Sequence, residues 1–301
     1  MPFNTVFYII KNDVLFVSYG EFDRMGRNHV LHCRMKYEQG KGCRVLGEQQ
    51  QWYLEYTIHK NRPGLLGDIA SMLGMLEVNI LTINGVEGKT RGMLLETDDE
   101  RKIALLGDML KTVGSVTVSA LRHPKLVDIL AVRHGRYIDR DSDDLKTFRF
   151  TRDELGLLVD FLGELFKREG HQVIGLRGMP RVGKTESIIA GSVCAMKHWT
   201  FVSSTLLRQT VRSQLSEEEC NPSNVFIIDG IVSTLRSNEK HYQLLQQIMS
   251  MPSTKVVEHP DVFMKESEYN YDDFDIIIEL RNNPDEEIVY DTFVTIYNEE
   301  I

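Results

Sequence analysis

Gln172-Val-Ile-Gly-Leu-Arg-Gly178-Met-Pro-Arg-Val-Gly183-Lys184-Thr185-Glu186 decides how the second half of the chain folds. Residues 172–176 are a short apolar run that reads as a strand, and residues 187–196 read as an apolar helix. Between them the sequence matches G-x-x-x-x-G-K-[ST] in the required strand–loop–helix context. The four fixed positions recur by chance in roughly one chain of this length in a hundred, so the match is specific. Gly178 and Gly183 let the backbone curl until its N–H groups point inward at phosphate oxygens. The helix N-terminus adds partial positive charge. Gly178, Met179, Pro180, Arg181, Val182, Gly183, Lys184, Thr185 and Glu186 are therefore read as a P-loop that binds a nucleotide. Lys184 should reach the β- and γ-phosphates, and the Thr185 hydroxyl should bind Mg²⁺.

A second element lies about forty residues further on. Asn224-Val-Phe-Ile-Ile-Asp229-Gly230 is a buried-type strand ending in Asp, the pattern of a Walker B strand. Asp229 is then the second Mg²⁺ residue and, with Lys184, the catalytic candidate. An Asp-Gly turn after a core strand is the plainer reading of the same residues. Gly230 stands where fast ATPases carry an acidic residue, so hydrolysis should be slow. Nucleotide and small-molecule kinases also show Asp-Gly here, which keeps transfer to an acceptor open.

Further strands are read over residues 200–204, 254–258 and 274–280, and helices over 206–215 and 239–249. Alternating strands and helices imply a mostly parallel sheet, with ligands at the strand C-terminal ends. That places Ser203, Ser204, Glu258 and His259 near the phosphates, with Glu258 a weaker catalytic candidate. No Asn-Lys-x-Asp guanine-reading motif occurs: Asn282-Asn-Pro-Asp285 has Asn where Lys is needed. ATP is therefore expected rather than GTP.

Upstream the period changes. Residues 52–58 alternate as a strand, and residues 65–73 repeat at helical spacing after the turn Asn61-Arg-Pro-Gly64. Strands follow over 79–84 and 91–96, then a helix capped by Asp98, then a strand over 115–121. This order is the ferredoxin-like, split βαβ arrangement. Lys60-Asn-Arg-Pro63-Gly64-Leu65-Leu66 followed by Val78-Asn79-Ile80 resembles an ACT domain over residues 52–121. The resemblance implies pairing of two copies and a small ligand, such as an amino acid, held by Asn61, Pro63, Gly64, Leu65, Asn79 and Ile80. A free carboxylate suits such a helix N-terminus.

The expected organisation is a poorly readable extension over 1–50, an ACT-like regulatory domain over 51–124 and a charged connector over 125–150. A P-loop domain over 151–291, opened by the capping box Thr151-Arg-Asp-Glu154, and a tail over 292–301 complete it. Residues 40–51 read as linker, and translation starting near residue 46 is one reading of the extension. The connector carries Arg133-His134-Gly135, which mimics a histidine-phosphatase start; Arg136 stands where an acidic or amide residue is usual there. Arg133 and Arg136 are arginine-finger candidates, with Arg208, Arg212 and Arg236 as rivals.

The bulk composition fits this picture. The 301 residues are 42% hydrophobic and 26% charged, an ordinary globular balance. A formal net charge of −9 argues against general nucleic-acid binding. Four cysteines without CxxC or zinc spacing read as reduced thiols, and no apolar run is long enough to span a membrane. A cytoplasmic location is expected.

An ACT-like part followed by a P-loop part resembles the YmfK-like family of bacilli over about residues 51–290. The matching stretches are the strands of 52–96, Arg133-His-Gly-Arg-Tyr137, the loop 178–186 and Asp229-Gly-Ile-Val-Ser-Thr234. That resemblance supports the architecture and implies no reaction. The residues themselves point to ATP binding with slow, ligand-regulated hydrolysis. A small-molecule or nucleotide kinase and a non-catalytic sensing module are the alternatives.

Overall fold

A computed structural model of the chain describes residues 6–10, 13–17 and 50–288, apart from 206, 208 and 237. The linker reading of 40–51 falls almost wholly outside these residues, and the tail over 292–301 falls entirely outside. The contacts divide the chain at residues 46 and 47. In the first unit β1 (Val6–Ile10) and β2 (Asp13–Val17) pair antiparallel, Val6 opposite Val17. The remainder is mixed α/β, with a four-stranded and a seven-stranded sheet.

The four-stranded sheet follows the chain as β3 (Gln50–Ile58), α1 (Leu65–Met75), β4 (Asn79–Glu87), β5 (Thr90–Thr97), α2 (Glu100–Lys111) and β6 (Val116–Arg122). The strand order is β4-β5-β3-β6 with every pair antiparallel, a split βαβ arrangement. Trp52, Leu54 and Tyr56 alternate onto one face and pack with Leu65, Ile69, Leu73, Ile103 and Leu106 of the two helices. The α2 cap is one residue later than expected: Asp99, not Asp98, accepts the Arg101 N–H at 3.0 Å.

The stretch read as a charged connector is structured, a correction to the sequence reading. It holds α3 (Leu126–His134) and β7 (Asp139–Arg140), and β8 (Thr147–Thr151) begins within it. Apart from the buried Asp128, its charges lie on exposed or half-buried positions and hide a short apolar face. Ala131 and Val132 pack on Tyr53, Val86 and Leu94, the second face of the β3–β6 sheet, while Leu130 joins the core of the larger sheet. Asp128 anchors the helix start, accepting the Lys125 N–H at 2.6 Å and Arg122 at 2.5 and 3.0 Å. Gly92 lets α3 approach, because a Cβ there would sit 2.7 Å from Val132 Cγ2. Gly92→Val is therefore expected to lift α3 and cost about 1–3 kcal/mol, read as a lower midpoint in urea unfolding.

The larger sheet continues with α4 (Leu155–Phe166), β9 (Gln172–Gly178), α5 (Lys184–Cys194), β10 (His198–Phe201), β11 (Ser203–Ser204), β12 (Thr210–Val211) and β13 (Asn224–Asp229). It ends with α6 (Gly230–Leu235), α7 (Glu239–Ser250), β14 (Thr254–Glu258), α8 (Pro260–Glu266) and β15 (Ile276–Arg281). The order is β10-β13-β14-β9-β15-β8-β7; all neighbours are parallel except β7, which pairs antiparallel to β8. Leu158, Phe161, Leu162 and Phe166 of α4 and Ile188 of α5 cover one face, against Ile174, Leu176, Ile227, Val256 and Ile278. Leu244, Leu245 and Ile248 of α7 and Phe263 of α8 cover the other. A helix expected over 206–215 is replaced by β12, which pairs antiparallel with β11. Thr210 and Val211 are β-branched and favour the strand.

Candidate functional site

The loop of residues 178–183 joins the C-terminal end of β9 to the start of α5. Its shape needs both glycines. A Cβ at Gly178 would lie 2.6 Å from the Leu280 carbonyl oxygen, and Gly183 holds a left-handed φ of 113°. Arg181 is also left-handed, at 63°. Val182 is fully buried and pins the loop into the core beneath. Gly183 gives α5 no side-chain cap. Among the described residues, the N–H groups of Gly183, Lys184, Thr185 and Glu186 find no acceptor. Unsatisfied donors at a helix start are the elements of an anion site.

Lys184 is 6% exposed. Its Nζ donates to the Gly178 and Met179 carbonyls, both at 2.9 Å, and so lies along the loop. Burial pushes its pKa down, opposed by the negative charges of Glu258, Asp229 and Glu186. The Thr185 hydroxyl donates to Glu258 Oε1 at 2.6 Å. Glu258 closes β14, which lies between β9 and β13 in the sheet. Burial first, then the nearby Asp229 charge, raises its pKa to about 7.

Asp229 ends β13, but its carboxylate is engaged. Oδ1 accepts the N–H groups of Ile231 and Val232, both at 3.1 Å, and caps α6. Oδ2 accepts the Thr205 N–H at 3.1 Å and the Thr205 hydroxyl at 2.6 Å. The turn beyond is held by a buried polar chain. Asp229 N–H donates to Ser203 Oγ at 2.8 Å, Ser233 Oγ donates to Ser203 Oγ at 2.7 Å, and His241 Nε2 lies 3.1 Å from Ser233 Oγ. Ser204 is buried in β11. His259 is buried with a left-handed φ of 55°, and burial pushes its pKa down to about 3.

The raised Glu258 pKa makes a pH prediction. The native state keeps this proton between its ordinary 4.5 and about 7, while the unfolded chain releases it. Stability from this group is therefore lost as pH rises across that window, by roughly 3 kcal/mol in all. His259 works the other way, since its depressed pKa withdraws stability as pH falls below 6.5. Glu258→Gln isolates the first effect. It should match wild type in urea midpoint near pH 4.5 and exceed it at pH 8; equal midpoints at both pH values would contradict this.

The arginines fall elsewhere. Arg133 reaches Asp160 of α4 at 3.3 Å, and His134 Nε2 lies 2.9 Å from the same carboxylate. Arg136 donates to Glu154 at 2.8 Å. Among the described residues, neither arginine bonds to the loop; both tie the α3 segment to α4 and its approach. Arg212 is held by Glu219 at 2.6 and 3.0 Å, and Arg236 by Gln209. Arg208 lies outside the described residues. Sequence reasoning missed Arg152, whose guanidinium donates to the Arg181 carbonyl at 3.1 Å. No motif signals it; only the fold brings residue 152 to the loop.

The six expected effector residues divide into two groups. Asn61, Pro63 and Gly64 are exposed, and Leu65 is buried, where the chain leaves the β3 end and enters α1. Asn79 and Ile80 open β4, with Asn79 opposite Glu96, which also faces Gln51 at the other end of β3. The eleven residues of α1 separate the two groups, about 16 Å at 1.5 Å per residue. The turn of residues 61–65, which contains a left-handed Gly64 with φ 83°, and the start of β4 thus lie at opposite ends of α1 within one chain.

The description "Protein of unknown function (DUF3388)" belongs to the family whose model matches residues 118–300. The chain belongs to this family. It is 65% identical over 241 residues to the uncharacterised protein YmfK of Bacillus subtilis, covering 80% of this chain and 90% of that one. A D-3-phosphoglycerate dehydrogenase of Synechocystis is 35% identical over 65 residues, 21% of this chain and 12% of that enzyme. Among solved structures, the ACT domain of a GTP pyrophosphokinase from Chlorobium tepidum aligns with 24% of this chain and 96% of its own, at 23% identity and a TM-score of 0.20.

No described helix is long and apolar enough to cross a membrane. No group of three or more His, Cys, Asp or Glu among the described residues is arranged to hold a metal ion.

Proposed function

We propose that the chain binds a nucleoside triphosphate, ATP rather than GTP, on the loop of residues 178–186 and hydrolyses it slowly. The observation that carries this reading is the α5 start. Four N–H groups without an acceptor among the described residues open α5, and the buried Lys184 ammonium lies on the same curled loop. On this reading the region over 151–291 is a P-loop NTPase-like domain. The Lys184 bonds to two carbonyls are neutral-acceptor bonds that a phosphate oxygen can replace with stronger, charge-assisted ones. Lys184 then neutralises phosphate charge, and the loop N–H groups fix the phosphate chain. Mg²⁺ would supply further neutralisation of phosphate charge when bound, and the Thr185 hydroxyl would help hold it. The residues fit such a group, because the Glu258 carboxylate lies 2.6 Å from the Thr185 hydroxyl and Mg²⁺ on a nucleotide is held by one or two carboxylates besides phosphate and water.

The split βαβ part is proposed to be an ACT-like regulatory domain that takes a small ligand, such as an amino acid, at the turn of residues 61–65. A ligand carboxylate would meet the uncapped start of α1. The path to the nucleotide site runs through α3, which packs on the sheet through Val132 and bonds to α4 through Arg133 and His134. Coupling through it must be reciprocal.

Phosphate release from Mg-ATP tests the reaction. Slow release by wild type that drops to background in Lys184→Ala supports it. Equal release by both proteins would show contamination or another site. ATP binding without release would leave a nucleotide sensor. Asp160→Asn weakens both α3 bonds and should leave ATP affinity near wild type. It should reduce, by roughly 0.5–2 kcal/mol of coupling, the shift in ATP affinity caused by an activating amino acid. A panel of amino acids titrated with and without ATP reads this directly.

A further inference from the structure

We propose that Glu258, and not Asp229, is the protein carboxylate that engages the Mg²⁺ accompanying the nucleotide; this rests on the nucleotide reading above. The sheet order carries the argument. In the sequence Asp229 is the acid that ends a core strand after the loop, but β13 is not the neighbour of β9. β14 lies between them, and Glu258 pairs in register with Leu176, two residues before the end of β9, on one side and with Asp229 on the other. Glu258 therefore stands one strand closer to the loop. Its Oε1 already meets the Thr185 hydroxyl at 2.6 Å.

The two carboxylates also differ in how much of their capacity is spent. A carboxylate offers about four acceptor positions. Asp229 uses four: two N–H groups at the α6 cap, and the N–H and hydroxyl of Thr205. Moving it onto a cation would uncap α6 and release the Thr205 turn. Glu258 accepts one hydrogen bond among the described residues, from the hydroxyl expected to share the cation with it. Gly230 keeps the two acids close, since a Cβ there would sit 2.8 Å from both the Glu258 and His259 carbonyl oxygens. Asp229 then acts as a positioning residue: it holds the α6 turn and adds negative charge beside Glu258 without touching the cation.

ATP affinity in EDTA and in Mn²⁺ gives the test, measured for wild type, Glu258→Gln and Asp229→Asn. Asn keeps an N-cap acceptor, so the α6 turn survives in the last variant. Measured at pH 8, above the raised Glu258 pKa, Glu258→Gln should bind metal-free ATP as well as wild type or better, because a negative charge near the phosphates is gone. Its gain in affinity on adding Mn²⁺ should shrink about tenfold or more. Asp229→Asn should keep that gain. A full Mn²⁺ gain in Glu258→Gln overturns the assignment, as does a gain lost in Asp229→Asn alone. A wild type that binds ATP in neither condition overturns the nucleotide reading and this inference with it. The other two failures leave the nucleotide reading intact.

Discussion

Phe161→Ala should lower the unfolding temperature by about 6–20 °C, a larger effect than any surface substitution should produce. Phe161 is 2% exposed on α4, with Phe148 and Phe150 of β8 at ring-centroid distances of 4.9 and 5.6 Å. Truncating a buried Phe costs about 3–5 kcal/mol, from lost transfer energy and the cavity left behind. Each kcal/mol moves the midpoint by roughly 2–4 °C in a unit of this size. The same cluster holds Leu130 of α3 and Val182 of the loop between β9 and α5. The loss should therefore be cooperative across α3, α4 and the loop, seen as one transition by circular dichroism and by tryptophan fluorescence. A small shift, or two separated transitions, would show that β8 and α4 are not part of this core.

Gly178→Val should remove nucleotide binding and cost about 1–3 kcal/mol of stability, the overpacking range. The first added carbon would meet the Leu280 carbonyl at 2.6 Å and Val182 Cγ1 at 3.0 Å. The first of these is backbone of β15 and has no rotamer to change, so the loop itself must move. Displacing it carries the α5 start and Lys184 away from the Gly178 and Met179 carbonyls that now hold the ammonium. Gly170→Ala is the control. Gly170 is likewise at positive φ, 100°, but nothing lies within 4 Å of a Cβ there. It should lose some stability and keep ATP affinity; equal binding losses in both variants would detach the effect from the loop.

The local elements were legible where one period ran without interruption. Residues 52–58 alternate, residues 65–73 repeat at helical spacing, and β3 and α1 lie there. The strand, loop and helix around Gly178 were legible because the glycine and lysine spacing is itself a backbone instruction. The α3 segment was not. Its apolar positions are divided between two sheets, so no single stripe emerges, and the charges of Arg133, Arg136 and Arg140 dominate the reading. The stretch near Thr210 reads as a helix, yet its two β-branched residues pair with β11. Sheet order was invisible as well. Nothing in the spacing of Asp229 and Glu258 says that β14 inserts beside β9, which is why Glu258, the acid beside Thr185, ranked behind Asp229. The sequence likewise did not show that Gly64 and Asn79 stand at opposite ends of α1 within one chain.

The most direct test of the central claim is thermal unfolding of wild type and Lys184→Ala with Mg-ATP and Mg-GTP. A ligand at a hundred times its Kd stabilises the native state by about 2.7 kcal/mol. For a unit of this size that is roughly 5–11 °C. The account predicts such a rise with Mg-ATP for wild type, a smaller one with Mg-GTP and none for Lys184→Ala. Wild type that melts at the same temperature with and without either nucleotide, or a rise that survives in Lys184→Ala, would contradict it.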